Sequence, residues 1–339
     1  MLRLSILPIA ICVASLSGCA GTGAHAGLKQ ELRQQIKETE VVAGIKQNEL
    51  YAAFIPSTAG SAAAAGCGAV PGIGILLAGV CGGIAGAADA SINATRASAA
   101  EASVRPLKDA LVDFSFDTDL QQALTSNLSS SGDLNATKVS VTREVKDEVY
   151  STTLTASQAS AVLFVNADYH LSPDFSTLII QSQSLLYPRA ASLRAAVGQT
   201  EDPAADVDGK KPMDVSNAIY RNTVVYEARL PAAGTEIESN VAGWGANQAE
   251  PLRKALKHGV QEVTAALRAD LRHTPVAAEA GDSQGTQIEV DRQQAVLVSQ
   301  TSAGKLVRFN DGTLKFIADL NGVVSPASVA TGTASPAAQ

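Results

Sequence analysis

Alternating apolar and polar side chains mark the middle of the chain as a β-sheet. In residues 161–171 the apolar side chains fall on one face, while Asp168 and His170 lie on the other. A Ser-Pro-Asp-Phe sequence then favours a turn, and residues 176–187 alternate in the same way. Residues 218–230 repeat the alternation once more. The pattern predicts a long hairpin followed by a further strand.

Apolar residues spaced by three and four positions predict two helices that pack on this sheet. Between residues 248 and 272, six apolar residues form one unbroken stripe. Pro251 stands in the first turn of this helix, where its missing N–H costs nothing. The other helix begins at Asp117, among acidic and hydroxyl residues that suit a helix N-terminus, and carries three leucines spaced by four.

Three further segments complete the predicted domain. Apolar residues spaced by four predict an amphipathic helix over residues 28–50. Apolar residues in segment 104–116 and alternation in segment 137–145 predict two more strands. The resulting order over residues 99–273 is strand, helix, strand, strand hairpin, strand, helix. It predicts an α+β fold in which helices pack on a mainly antiparallel sheet.

The C-terminal region predicts a small β unit. Beyond a polar linker, residues 286–320 contain two short apolar strands that flank Asn310-Asp311-Gly312-Thr313, a strong hairpin signal. Because such a unit is too small to fold alone, we expect it to dock on the main sheet or on a partner. Residues 324–339 consist of small and polar residues and predict a disordered tail.

An absence of charge over residues 51–88 sets the segment 51–98 apart. No charged residue occurs between Leu50 and Ala88, and small residues recur there at every fourth position, which permits close helix packing. Pro71 and the glycines that follow interrupt the run and predict a Gly/Ala-rich helical hairpin. The segment resembles the glycine-zipper regions of bacterial envelope proteins. That resemblance implies helix packing without one particular function.

Cys67 and Cys81 lie seven residues to either side of Gly74, in the middle of this run. On one straight helix they would be about 21 Å apart, too far for a disulfide. A hairpin that turns near Gly74 brings them opposite each other, so the disulfide and the hairpin predict each other. The closed loop would stabilise the protein by about 3 kcal/mol. Three surroundings stay open for the hairpin: a membrane, the folded domain, and other copies of the chain.

The N-terminus has the features of an export signal. Arg3 precedes an apolar run that is too short to span a membrane but suits a signal peptide over residues 1–18. The run ends in Leu16-Ser17-Gly18-Cys19, which resembles the lipobox of bacterial lipoproteins. We therefore expect the chain to be exported and processed as a lipoprotein.

The lipobox resemblance has consequences for the mature chain. It implies that Cys19 is the first mature residue, that its thiol carries diacylglycerol and that its amine can be acylated, for example with palmitate. Several acyl chains anchor a protein firmly. Residues 19–27 then form a lipidated tether. Ala20 stands where an aspartate commonly retains such proteins at the inner membrane, which favours the outer membrane with the protein facing the periplasm.

Composition narrows the set of partners. The chain has 33 acidic and 26 basic residues, a formal net charge of −7, and no basic cluster of the kind that binds nucleic acid. The organisation of residues 104–272 resembles that of periplasmic accessory lipoproteins, such as the curli-secretion and penicillin-binding-protein-activator types. This resemblance implies an accessory role, and it transfers no functional residues to this chain.

The sequence offers little catalytic chemistry. Asp168 and His170 share one strand face, but Gln181 and Gln183 stand across the hairpin, so we interpret this face as an ordinary solvated sheet surface. The chain lacks the zinc-binding and phosphate-loop motifs, and we predict no catalytic residue, metal or cofactor. Trp244 lies between two glycines, and we interpret it as a loop aromatic that covers the core.

Two functions of different classes follow. In the first, the protein is a lipid-anchored, non-catalytic envelope protein whose periplasmic α+β domain is an accessory or protein-binding module. In the second, the glycine-rich hairpin inserts into or permeabilises a membrane, and the α+β domain regulates it. Assembly into homo-oligomers is compatible with both. Contact between residues 60–88 and lipid distinguishes them.

Overall fold

The computed structural model describes residues 25–55, 87–129, 134–199, 202, 213–272 and 286–321. Within them, helices and ten strands form an α+β fold built on one mixed sheet, which confirms the predicted fold class. The helices are α1 (Gln30–Arg33), α2 (Ala87–Ala110), α3 (Phe116–Ser129), α4 (Asp147–Ala156), α5 (Ala191–Ala196) and α6 (Ile237–Arg272). The strands are β1 (Thr39–Ile45), β2 (Tyr51–Ala52), β3 (Ala136–Thr142), β4 (Ala161–Leu171), β5 (Thr177–Pro188), β6 (Tyr220–Arg229), β7 (Gln287–Val290), β8 (Gln293–Thr301), β9 (Gly304–Phe309) and β10 (Leu314–Ala318).

The strand order is β3-β1-β4-β5-β6-β10-β9-β8-β7, and β2 also pairs with β4. The predicted hairpin is confirmed, because β4 and β5 pair antiparallel along their whole length, from Ala161 opposite Pro188 to Leu171 opposite Leu178. β6 continues the sheet antiparallel to β5. Parallel pairings join β1 to β3 and β4, β2 to β4, and β10 to β6.

Helices cover one face of the sheet. α6 packs on β5, β6 and β10, α3 packs on β3 and β1, and α2 packs on α6. The inward-facing residues of the strands and the apolar stripe of α6 form the main core between these layers. All six residues of the predicted stripe are buried, namely Leu252, Leu256, Val260, Val263, Leu267 and Leu271. The alternation and the helical spacing thus both predicted the buried side correctly.

The opposite face of the sheet is covered less completely. At one side, Tyr150 and Leu154 of α4 pack on Val162 and Phe164 of β4. At the other side, a small apolar cluster around Val307 belongs to the C-terminal strands. Between the two, the outward side chains of β5 and β6 are half-buried. This leaves a partly exposed sheet surface of mixed polarity.

The C-terminal unit docks on the main sheet, which is one of the two arrangements that the sequence predicted. β10 pairs in parallel with β6, with Leu314 opposite Val224 and Phe316 opposite Tyr226. The predicted turn joins β9 to β10, and Gly312 adopts a φ of 87°, which favours glycine. The linker over residues 274–285 and the tail over residues 324–339 lie outside the described residues.

The helix predicted over residues 28–50 is wrong. A helix forms only at Gln30–Arg33, whereas Thr39–Ile45 is a strand in which every residue is buried. β1 lies between β3 and β4, so both of its edges are paired, and the burial of all seven residues shows that both of its faces meet protein. A strand that is buried on both faces has no polar alternation to reveal it, and its apolar residues match a helical spacing by chance.

The strand predicted over residues 104–116 is also wrong. The helix α2 continues to Ala110 with Pro106 inside it, and Phe116 begins α3. Val104, Leu107 and Leu111 are buried and spaced by three and four, so they form one helical face. The burial of these residues in the core therefore outweighs the cost of placing Pro106 inside a helix.

Two boundaries differ from the prediction. Tyr51 and Ala52 belong to β2, so the sheet includes the first residues of the segment predicted as a glycine-rich hairpin. The long helix has an earlier part from Ile237, and non-helical backbone at Ala246–Ala249 separates the two parts. Among the described residues, none of the helices is both long enough and apolar enough to cross a membrane.

Close packing of α6 on the sheet generates a prediction about Gly259. A Cβ at this position would lie 2.5 Å from Cδ1 of Ile180 and 2.7 Å from Cδ1 of Tyr226. Gly259→Ala is therefore expected to lower the free energy of unfolding by about 1–3 kcal/mol, because α6 must move away from the sheet. Urea denaturation followed by circular dichroism measures the loss.

Gly245→Ala, in the first part of α6, is the matched control. A Cβ there would lie 3.5 Å from Cδ2 of Leu107, an ordinary contact. The stability of this variant should be unchanged or higher by up to about 1 kcal/mol, because alanine favours the helix. Equal effects of the two substitutions would contradict the close packing at Gly259.

Candidate functional site

The residues that the sequence singled out for modification lie outside the described residues. They are Cys19, the predicted lipidation site, and Cys67 and Cys81, the predicted disulfide. Lipidation and the disulfide therefore stay predictions, as does the signal peptide over residues 1–18.

Asp168 and His170 meet a third side chain that the sequence did not predict. Nδ1 of His170 lies 3.6 Å from Oδ1 of Asp168, and the Tyr51 hydroxyl lies 3.2 Å from Oδ2 of Asp168 and 3.4 Å from Nδ1 of His170. The Tyr51 and His170 rings stack with centroids 5.1 Å apart. The parallel pairing of β2 with β4, which places Tyr51 beside His170, holds this cluster together.

The interpretation of this face as an ordinary solvated surface is wrong for His170. Its side chain is only 3% exposed, because Tyr51 covers it, whereas Asp168 is 18% exposed. The predicted register is confirmed, with Asp168 opposite Gln181 and Asn166 opposite Gln183. Burial and the Asp168 carboxylate raise the pKa of Tyr51 far above its ordinary value, so its hydroxyl stays protonated and donates to Asp168. The cluster therefore fixes β2 on the sheet.

A buried carboxylate with four hydrogen-bond partners, that of Asp270, lies on the last turn of α6. Its side chain is 1% exposed. Oδ2 lies 3.0 Å from Nε2 of His25 and accepts from the Tyr220 hydroxyl at 3.0 Å and from Nδ2 of Asn222 at 2.7 Å. Oδ1 accepts from Nη2 of Arg308 at 2.6 Å. Four protein groups thus surround one buried carboxylate.

The surroundings of Asp270 determine its ionisation. Burial alone would raise the pKa of Asp270, but the hydrogen bond from His25 and the charge and hydrogen bond of Arg308 outweigh it. They hold the pKa below its ordinary value of 3.8. Sequence reasoning missed this site, although an acid beside the predicted apolar stripe, between Leu267 and Leu271, was a signal.

The N-terminal contact of this cluster corrects the predicted tether over residues 19–27. Ala26 and Arg221 exchange two backbone hydrogen bonds of 2.9 Å, so this part of the chain extends the edge of β6. His25 packs against Gly312, where a Cβ would lie 2.1 Å from Cβ of His25. The described end of the tether is therefore bound to the domain. We call the contacts of His25 and Ala26 with Arg221, Asp270 and Asp311 the N-terminal clasp.

Trp244 is buried, as interpreted, but it lies in the first part of α6 and not in a loop. Its Nε1 donates to the carbonyl oxygen of Phe175 at 2.8 Å. Phe175 stands in the turn between β4 and β5, so the indole joins α6 to that end of the sheet. A residue engaged in this way is part of the core.

A cavity of about 500 Å³ opens at the same end of the sheet. It lies where β6 ends and where β9 and β10 meet their turns. Its lining combines cationic and apolar side chains, including Arg229, Leu230, Ala233, Lys305, Ile317 and Leu320. A concavity of this size and mixed character can receive a small molecule or the side chains of a peptide.

Neither metal binding nor homology identifies the site. Within the described parts of the chain, no group of three or more histidine, cysteine, aspartate or glutamate side chains could hold a metal ion. No family model, no curated protein and no solved structure matches the chain. Function is therefore inferred from the residues of this chain.

The Asp270 cluster generates a stability prediction. Asp270→Asn removes the charge that Arg308 and His25 surround, and it should lower the free energy of unfolding at pH 7 by about 3 kcal/mol. Because the folded-state pKa of Asp270 is lowered, its stabilising contribution is present above its ordinary pKa and is lost as the pH falls through the folded-state pKa. The difference between wild type and variant should therefore shrink in acid. Urea denaturation across a pH series measures it.

Asp311→Asn is the control for this prediction, because the Asp311 side chain is a nearby exposed carboxylate and only its backbone carbonyl belongs to the clasp. It should leave the pH profile of stability close to that of the wild type. A difference between wild type and Asp270→Asn that stays constant down to the lowest pH would show that the carboxylate is not ionised in the folded protein.

Proposed function

We propose that this protein is a lipid-anchored, non-catalytic component of the bacterial cell envelope. Cys19 holds it at the outer membrane, and its α+β domain faces the periplasm as an accessory or protein-binding module. The lipobox resemblance supports the anchor. The acidic net charge of −7 argues against a nucleic-acid partner and leaves an envelope protein as the expected one.

One observation carries the non-catalytic part of the proposal: the three acid–imidazole pairs of the described residues serve the fold. One of them, His258 with Glu262, lies within α6, where the Tyr226 hydroxyl also bonds His258. Asp270 is surrounded by His25 and three further donors that belong to different segments. His170 is enclosed by Tyr51 beside Asp168. An imidazole that takes part in catalysis must reach a substrate. Of the three histidines only His170 is enclosed, but the partners of all three are structural: Asp270 and Asp168 join distant parts of the chain, and Glu262 lies one helical turn from His258.

The accessible features of the domain support a binding role. The cavity beside Arg229 and Lys305 is concave and of mixed polarity. The sheet face between α4 and the C-terminal strands is half exposed. Protein-binding surfaces commonly combine an apolar centre with a polar rim. We therefore place the contact with an envelope protein at the cavity and the adjoining sheet face.

A second candidate function has a specific observation in its favour. Nη1 of Arg96 donates to the carbonyl oxygen of Ile55 at 2.7 Å. Ile55, from which the chain enters the glycine-rich segment, therefore lies beside α2, which follows that segment. A helical hairpin over the intervening residues requires such neighbouring ends. Ile55 and Ile92 expose 66% and 42% of their surface beside this point. The alternative is that this glycine-rich segment inserts into a membrane.

Flotation with liposomes tests the anchor and separates the two functions. The lipidated protein should float with the vesicles, whereas Cys19→Ala should stay in the soluble fraction, because the acyl chains supply the membrane affinity. Flotation of Cys19→Ala that survives high salt and is lost on deletion of residues 60–86 would contradict the proposal. The glycine-rich segment would then be the membrane-binding part.

Site-specific photocrosslinking tests the binding surface. A photoreactive residue in place of Lys305, which lines the cavity, should give a discrete adduct with an envelope protein in cells. The same residue in place of Lys257, exposed on α6, is the matched control and should give none. Ala233→Trp, which fills the cavity, should abolish the adduct. An adduct that is equally strong at both positions, or that survives Ala233→Trp, would place the partner elsewhere.

A further inference from the structure

We propose that the N-terminal clasp orients the domain, so that the end of the sheet around Asp270 faces the bilayer and the cavity points away from it. This inference rests on the proposed lipidation of Cys19. The interacting surface is the end formed by the clasp, the turn between β9 and β10 and the last turn of α6. Its partner is the lipid surface that holds the anchor.

The attachment point of the tether on the domain is fixed. Ala26 is bound to β6 through both of its backbone hydrogen bonds with Arg221. Nε2 of His25 lies 3.0 Å from the buried carboxylate of Asp270, and the backbone N–H of His25 donates to the carbonyl oxygen of Asp311 at 3.4 Å. The chain thus becomes part of the domain at His25.

Only a short length of chain remains between the lipid and the domain. His25 follows Cys19 by six positions in the chain. A fully extended chain spans at most about 3.4 Å per residue, so the tether reaches no more than about 20 Å. The clasp is therefore always within that distance of the lipidated cysteine.

The cavity and the clasp lie at opposite ends of β6. Arg229, at the cavity, follows Arg221, at the clasp, by eight residues on the same strand. At about 3.3 Å per residue the two ends are about 26 Å apart. If the cavity end rested on the bilayer with the strands upright, the clasp would be farther from the lipid than the tether reaches. With upright strands, the inverted orientation therefore exceeds the reach of the tether.

The same geometry locates the ends of the glycine-rich segment. Tyr51 pairs with His170, whose row continues through Ile179 to Glu227 on β6. Glu227 lies six residues beyond Arg221, which is about 20 Å along the strand. Ile55 and the neighbouring part of α2 are therefore on the side of the domain away from the clasp.

Energy transfer from tryptophan to a dansyl-labelled lipid tests the orientation. The sole tryptophan, Trp244, reports the cavity end, through its contact with Phe175. Asn310→Trp in a Trp244→Phe background reports the clasp end, because Asn310 is exposed in the β9–β10 turn. The lipidated proteins are reconstituted on phosphatidylcholine vesicles that contain dansyl-phosphatidylethanolamine. Transfer should be several-fold higher from position 310 than from Trp244.

A longer tether provides the matched control. A Gly-Ser insertion between Thr22 and Gly23 should lower the transfer from position 310, because it releases the clasp end from the bilayer. Thermal unfolding checks that each variant is folded, and Lys29→Trp in the same background gives a second reporter near the clasp should Asn310→Trp be unstable. Transfer that is equal at both ends, or higher from Trp244, would overturn the orientation.

Flotation of the same samples separates this failure from a failure of the proposed function. Lipidated protein that floats with the vesicles but shows the wrong order of transfer would refute the orientation alone. Protein that does not float, or that floats without Cys19, would refute the lipid anchor itself and the orientation with it.

Discussion

The arrangement of the chain depends on the hydrogen bonds that the buried carboxylate of Asp270 accepts. An unpaired charge at such a site would cost several kcal/mol, and removing its partners would leave that cost unopposed. The described donors come from the N-terminal segment, from β6 and from β9, at sequence separations of 245, 50, 48 and 38 residues. One side chain on α6 therefore holds the beginning and the end of the described chain against the same edge of the strand β6.

That edge explains why the C-terminal strands are part of the fold. β10 pairs with β6 only from Val224 onwards, and the bridge between Ala26 and Arg221 occupies the same edge of β6 nearer its start. An uncovered edge invites pairing with other chains. Two segments from opposite ends of the sequence thus cover one central strand, and Asp270 connects them from the helix layer.

Some of this fold could be predicted because local patterns and burial agree. The β4–β5 hairpin alternates along its length, the stripe of α6 has an unbroken helical spacing, and the turn at Gly312 has its own chemistry. β1 could not be predicted, since a strand enclosed on both faces carries no alternation. The part of α2 beyond the predicted helical segment 51–98 was missed because Pro106 disfavours a helix locally, whereas the buried face of this part favours one.

The polar sites were harder to predict than the fold, for a related reason. Asp168 and His170 stand two residues apart on one strand, so the pair was visible in the sequence, but Tyr51, which buries it, comes from a two-residue strand. His25 and Arg308 lie on opposite sides of Asp270 in the chain, and nothing local relates them to it. Such contacts become visible only once the topology has brought the segments together.

The geometry also bears on which of the two functions is compatible with a single anchoring membrane. The clasp and the ends of the glycine-rich segment are about 20 Å apart along the strands. A protein-binding domain with the clasp towards the lipid presents its cavity to the periplasm without further change. Insertion of the glycine-rich segment into the same bilayer requires the strands to lie along the membrane, so that both ends reach it. The orientation of the domain and the role of that segment therefore depend on each other, because Asp270 holds the clasp at one end of the strands and the glycine-rich segment leaves the domain near the other end.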